Sequence, residues 1–169
     1  MTPTEEKQWL EEHIPHRIRV MLASTAELSA CRTNGEPSFN DDVVERCWTD
    51  AVWEGRLSAL RWLCEFVGVQ MGFKSGQAER PKAWPTDTNV RHLSGGVLLP
   101  LPSPEADLLA KAWKACTQGS VHPTHNSNHP RIDDPERTKA FEIIKNHLST
   151  TVYSAEPDWI AKWVLQPSK

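Results

Sequence analysis

Three of the seven histidines fall in one polar stretch, Gln118-Gly-Ser-Val-His122-Pro-Thr-His125-Asn-Ser-Asn-His129-Pro130. The spacing His122-x2-His125-x3-His129 offers three neutral imidazoles, a donor set that zinc and other transition metals accept. A metal-dependent hydrolase would use His122, His125 and His129 as ligands and keep one position open, with Asp133 or Asp134 adding an oxygen. No His-Glu-x-x-His helix or cysteine pair accompanies them. His122 alone could act as general acid/base, because that role needs one imidazole near its ordinary pKa and a cation to stabilise developing phosphate charge. Lys111, Lys114 and Arg131 are the candidate cations. Ser120, Thr124 and Ser127 stand close in sequence, but no Gly-x-Ser-x-Gly elbow presents a nucleophile. The simpler alternative is a helix-to-helix turn shaped by Pro123 and Pro130. No cofactor is expected.

A second group of chemistry-bearing residues lies between Gly72 and Pro104. Lys74, Arg80, Lys82 and Arg91 outnumber Glu79 and Asp87 there, and Trp84 sits among them. Cations with an interleaved aromatic can contact a phosphate backbone and stack a base, as nucleic-acid binding requires. A solvated loop anchored by one tryptophan accounts for the same residues. Gly95-Gly96 before Val97-Leu98-Leu99 predicts a short strand; no helix start follows the glycines to make a phosphate cradle.

The elements that would hold these groups are helices. Thr4-Glu-Glu-Lys predicts a first helix with acids at its positive end, interrupted at Pro15, and a second run to about Leu28 carries Ile18, Met21 and Leu22. Pro15 could equally mark a kink within one longer helix. His13 and His16 flank it, as a ligand pair or as ordinary surface residues.

The longest helix is expected from Asn40 or Asp41 to about Val69. Val44, Trp48, Ala51, Val52, Ala59, Trp62, Leu63, Phe66 and Val67 share one face at spacings of three and four, and Trp53, Leu57, Leu60 and Cys64 widen it. Only a ridge from Asp50 to Glu65 is left for water, so other helices should pack around it, with Gly55 admitting a close neighbour.

The segment from Gly72 to Pro104 reads as one long irregular insertion, either functional or mobile. Ser103-Pro104-Glu105 then opens a helix ending near Gly119. Asp133 or Asp134 starts another, with Ala140, Phe141, Ile144 and Leu148 inward and His147 at the core edge. Ser154 to Pro157 introduces a short last helix in which Trp159, Ile160, Trp163 and Val164 face inward.

Composition sets the limits. The 169 residues suit one domain, 1–169, that buries about two-thirds of its unfolded surface, and the eight tryptophans span the length. Residues 1–65 carry twelve acids against seven Lys or Arg; the remainder carries ten against twelve. With a net charge of −3, any nucleic-acid contact must rest on a local patch. There is no signal-peptide pattern and no run near the roughly 18 apolar residues of a membrane span, so a cytoplasmic protein without membrane partners is expected. Cys31, Cys47, Cys64 and Cys116 are widely spaced and read as reduced thiols, mostly small core residues.

The long helix with Leu60-Arg-Trp-Leu-Cys-Glu-Phe, the polar insertion, and a helix ending Trp113-Lys-Ala-Cys-Thr-Gln-Gly-Ser-Val-His122-Pro-Thr resemble the HEPN-like helical-bundle proteins over residues 55 to 150. The resemblance implies paired helices, hence a homodimer, and a bacterial stress or defence setting. Members that cleave RNA carry an Arg four to six residues before the His; this chain has Cys116, Thr117 and Gln118 there.

The sequence therefore predicts an all-α bundle of five to six helices with one irregular insertion, working as a non-catalytic cytosolic interaction module with a protein partner or RNA. The alternatives are an RNA-processing enzyme using His122 as acid/base and a metal-dependent hydrolase.

Overall fold

A computed structural model describes residues 1–22, 41–82, 87–120, 132 and 134–165. Helix α1 (Pro3–Gln8) starts one residue earlier than Thr4. The Thr2 hydroxyl accepts the Glu5 N–H at 3.3 Å, and the Glu5 carboxylate accepts the Thr2 N–H at 2.6 Å. This reciprocal cap, with Pro3 at the first helical position, outcompetes a start at Thr4.

Pro15 does not end the helical path. A π-helical turn (Trp9–His13) leads directly into α2 (Ile14–Leu22), so the kink within one longer run is the arrangement adopted. The Ile14 N–H reaches back five residues to the Trp9 carbonyl. By the same count the Leu10 carbonyl would pair with position 15, where proline has no N–H to give. The Tyr153 hydroxyl donates to that carbonyl instead, at 2.7 Å.

The central helix, α3 (Asp41–Phe66), packs against α2, α4 (Pro104–Ser120) and α5 (Asp134–Thr150), as its wide apolar face requires. Leu57, Ala59, Leu60, Leu63, Cys64 and Phe66 are buried along it. Trp53 departs from the expected apolar face: it is 39% exposed, and the Arg137 guanidinium lies 4.6 Å from its ring centroid. Gly55 does face α2, with room to spare, since an added methyl would meet Val20 Cγ1 at 3.7 Å.

α3 stops three residues short of Val69, for a local reason. Gly68 takes φ +85°, its N–H bonds the Glu65 carbonyl (3.0 Å), and the Val69 N–H bonds the Cys64 carbonyl (2.9 Å). These two bonds close a Schellman cap, with Val69 and Cys64 both buried.

Beyond this cap the described residues form only short elements, and many side chains, Phe73 and Lys74 among them, are exposed. Strands β1 (Gln70–Met71) and β2 (Ala78–Glu79) form a two-residue antiparallel pair, and Val90–His92 make a 3-10 turn capped by Asn89. Val90, Leu93 and Leu99 join the core. Residues 97–99 form no strand; the Leu99 N–H bonds the Val67 carbonyl (3.0 Å). The close approach falls at Gly96, where an added Cβ would sit 1.7 Å from the Val90 carbonyl oxygen.

Ser103 caps α4 as expected, accepting the Ala106 N–H at 3.1 Å, and the helix continues through Gly119 to Ser120. After α5 the chain turns into a π-helical segment (Ile160–Val164). Arg19 of α2 donates from Nε and Nη2 to the Val164 and Trp163 carbonyls (3.0 and 2.9 Å), tying the two ends of the chain together. Trp159 is buried and its ring stacks on Tyr153, with centroids 4.1 Å apart. The architecture is mostly all-α, with five α-helices among the described residues, none long and apolar enough to cross a membrane.

Candidate functional site

The end of α3 projects two i, i+4 pairs toward the irregular segment: Trp62 with Phe66, and Arg61 with Glu65. The Trp62 and Phe66 rings lie 4.9 Å apart and 9° from parallel. Trp9, delivered by the π-helical turn, lies nearly parallel to both, 5.9 Å from Trp62 and 5.7 Å from Phe66. The Arg17 guanidinium is 5.3 Å from the Trp62 centroid, at cation–π distance.

Arg61 Nε donates to Glu65 Oε1 at 3.1 Å, and the same oxygen accepts from Trp113 Nε1 at 2.7 Å. The Arg61 guanidinium also stands 5.5 Å from the Trp113 ring. Glu65 is thus fixed between α3 and α4, and Arg61 is aimed by it.

Beside this helical wall runs the segment after β2. Arg80 is clasped by backbone: Nη1 donates to the Gly68 carbonyl and Nη2 to the Leu99 carbonyl, both at 2.8 Å. Burial draws its pKa below the ordinary guanidinium value, and the charge of Arg91 adds to the effect. Asn89 Oδ1 accepts the Arg91 N–H (3.1 Å) and fixes the turn that carries Arg91.

Together the two walls line a cleft of about 670 Å³, with Trp9, Arg61, Trp62, Glu65 and Phe66 contributed by the helices and Arg80, Lys82, Asp87, Asn89 and Arg91 by the segment. Cations, ring edges and two carboxylates therefore face one space. Such a set can hold an anion and pack a flat group beside it.

Of the residues picked out in the sequence for nucleic-acid contact, the fold brings Arg80, Lys82 and Arg91 together. Lys74 does not line the cleft; it is exposed in the turn between β1 and β2. Trp84 lies outside the described residues. So do His122, His125, His129 and Arg131, and with them the metal and acid/base arrangements built on the histidine turn. Lys114, half-buried on α4, and Lys111, which pairs with Glu136 of α5, do not line the cleft. Among the described residues no group of three or more His, Cys, Asp or Glu is placed to hold a metal. His13 packs beside Trp9 at 5.0 Å, and His147 bonds the Val97 carbonyl through Nε2 at 2.6 Å, the core-edge role expected of it.

Trp9, Arg61, Trp62, Glu65 and Asp87 are cleft residues that the sequence left in other roles. The 61/65 and 62/66 spacings were visible as helical pairs, but Trp9 reaches them only through tertiary packing. Comparison of the chain with family models, curated proteins and solved structures finds no match.

Proposed function

We propose that this chain is a non-catalytic interaction module that binds single-stranded RNA through the cleft between the end of α3 and residues 80–91. The observation that carries this reading is the meeting of Arg80, Lys82 and Arg91 with Arg61 beside the Trp9, Trp62 and Phe66 rings. Four cations against Glu65 and Asp87 make a local positive excess in a chain whose net charge is −3. That excess is small, so binding rests on a few phosphates and on ring contacts more than on bulk charge. The HEPN-like resemblance would set such a module in the cytoplasm, in a bacterial stress or defence setting, as a homodimer or with another protein partner.

The test is fluorescence anisotropy of a labelled single-stranded RNA over a salt series. Binding is expected to weaken with salt at a log–log slope of roughly −1 to −2, the signature of two or three neutralised phosphates. Lys82→Glu and Arg91→Glu should each weaken it about tenfold or more, while Lys139→Glu, at an exposed position of α5, should not. Absence of binding at low salt, or equal loss with all three variants, would remove the reading.

A further inference from the structure

We infer that the cleft is a one-nucleotide pocket, taking a nucleoside monophosphate either free or as the terminal residue of an RNA. This deepens, and rests on, the reading of the cleft as the binding site. Three observations carry it.

The first is size. About 670 Å³ falls inside the range of roughly 300–1,000 Å³ typical of small-ligand sites.

The second is charge. Arg61, Arg80, Lys82 and Arg91 exceed Glu65 and Asp87 by two positive charges, which matches one phosphate monoester and undershoots a triphosphate. Arg61 and Arg80 are already held, by Glu65 and by the Gly68 and Leu99 carbonyls. Their positions are set before any ligand arrives, so less ordering is lost on binding.

The third is the division of chemistry between the walls. The helical wall supplies the half-buried rings of Trp9 and Trp62, backed by the buried Phe66, and the segment wall supplies Lys82 and Arg91 with Asp87 between them in sequence. A ligand with a flat base at one end and a phosphate at the other satisfies both walls. Its sugar hydroxyls or exocyclic amine match a carboxylate acceptor. An acidic peptide would leave the ring wall unused, and inorganic phosphate would fill only one side.

The experiment is competition against labelled single-stranded RNA, with direct calorimetry on the same protein. Competitors are the four nucleoside monophosphates, their nucleosides, inorganic phosphate, and RNA ending in a 5′-phosphate or a 5′-hydroxyl. At least one monophosphate should bind and displace RNA, with its nucleoside and inorganic phosphate each about tenfold weaker or worse. Arg91→Gln and Lys82→Gln should weaken the monophosphate by a similar factor while the melting temperature holds. A preference for 5′-phosphorylated RNA would assign the natural source to an RNA end; equal affinity for both RNAs would assign it to the free nucleotide.

RNA binding that no monophosphate competes with would overturn the pocket and leave the RNA module standing. Monophosphate binding without RNA binding would do the reverse. Equal binding of monophosphate and inorganic phosphate would overturn the pocket too, because the rings would then contribute nothing.

Discussion

The Tyr153 hydroxyl donates to the Leu10 carbonyl across 143 residues of sequence, at 2.7 Å, and replaces the donor that Pro15 lacks. Burial pushes the Tyr153 phenol well above its ordinary pKa, so it keeps the proton it donates. One hydrogen bond therefore joins the chain beyond α5 to the distorted first helix, immediately beside Trp9 of the cleft. Tyr153→Phe keeps the ring stacked on Trp159 and removes only the donor.

Loss of that donor should cost about 1–3 kcal/mol in chemical denaturation, the penalty for a buried carbonyl left unpaired. In a Pro15→Ala background position 15 regains an N–H, and the same substitution should cost roughly 1 kcal/mol less. Equal costs in both backgrounds would show that the hydroxyl does not stand in for the missing donor.

Gly55 within α3 and Gly68 in the cap that follows it should respond in opposite directions. Gly68→Ala puts a Cβ 2.6 Å from Leu98 Cδ2 and 2.9 Å from Arg80 Nη1, on a backbone at φ +85°. It should destabilise by about 1–3 kcal/mol and, by pushing Arg80 off its carbonyls, weaken RNA binding. Gly55→Ala meets Val20 only at ordinary contact distance and should stabilise by about 0.5–1 kcal/mol. Thermal melts of the two variants check both signs; a stabilised Gly68→Ala would contradict the cap.

Alkaline pH should unfold the protein through its buried thiols. Burial pushes Cys64 well above the ordinary thiol range and Cys116 up to about 12. The unfolded chain releases these protons near about pH 8.5, the folded chain much later. Above that pH the unfolded state binds fewer protons, so stability is complete below it and is lost as pH rises toward about 12. Each group contributes a slope of up to about 1.4 kcal/mol per pH unit. Urea unfolding at about pH 7.5 and about pH 10 measures it, and Cys116→Ala should be less stable at the lower pH yet show the shallower slope. An unchanged slope would contradict the burial account.

Much of the fold was legible because it is written in short-range signals. The three-and-four spacing from Leu57 to Phe66, the Ser103-Pro104 start of α4 and the inward face of Ala140, Ile144 and Leu148 are each decided within a few turns of helix. Thr2 as the first cap and Gly68 as the end of α3 were present in the letters too. They were outweighed by the neighbouring Thr4-Glu-Glu and by the apolar run through Val69. Spacing alone places Trp53 inward, and spacing cannot show that the nearest cover is an arginine of α5.

The cleft was legible only in part. A basic segment holding Arg80, Lys82 and Arg91 could be read directly, as could a tryptophan-rich helix, but nothing local told that one would lie against the other.

By itself the sequence determined the helices, the inward faces and the presence of a basic irregular segment, since these depend on residue spacing and capping within a few residues. Tertiary structure alone decided that Arg80 clasps the Gly68 and Leu99 carbonyls, that Tyr153 serves Leu10, and that Trp9 joins Trp62 and Phe66 in one cleft with Arg91. Those pairings join residues that are far apart in sequence, and they form only when burial of the common core holds both partners in place.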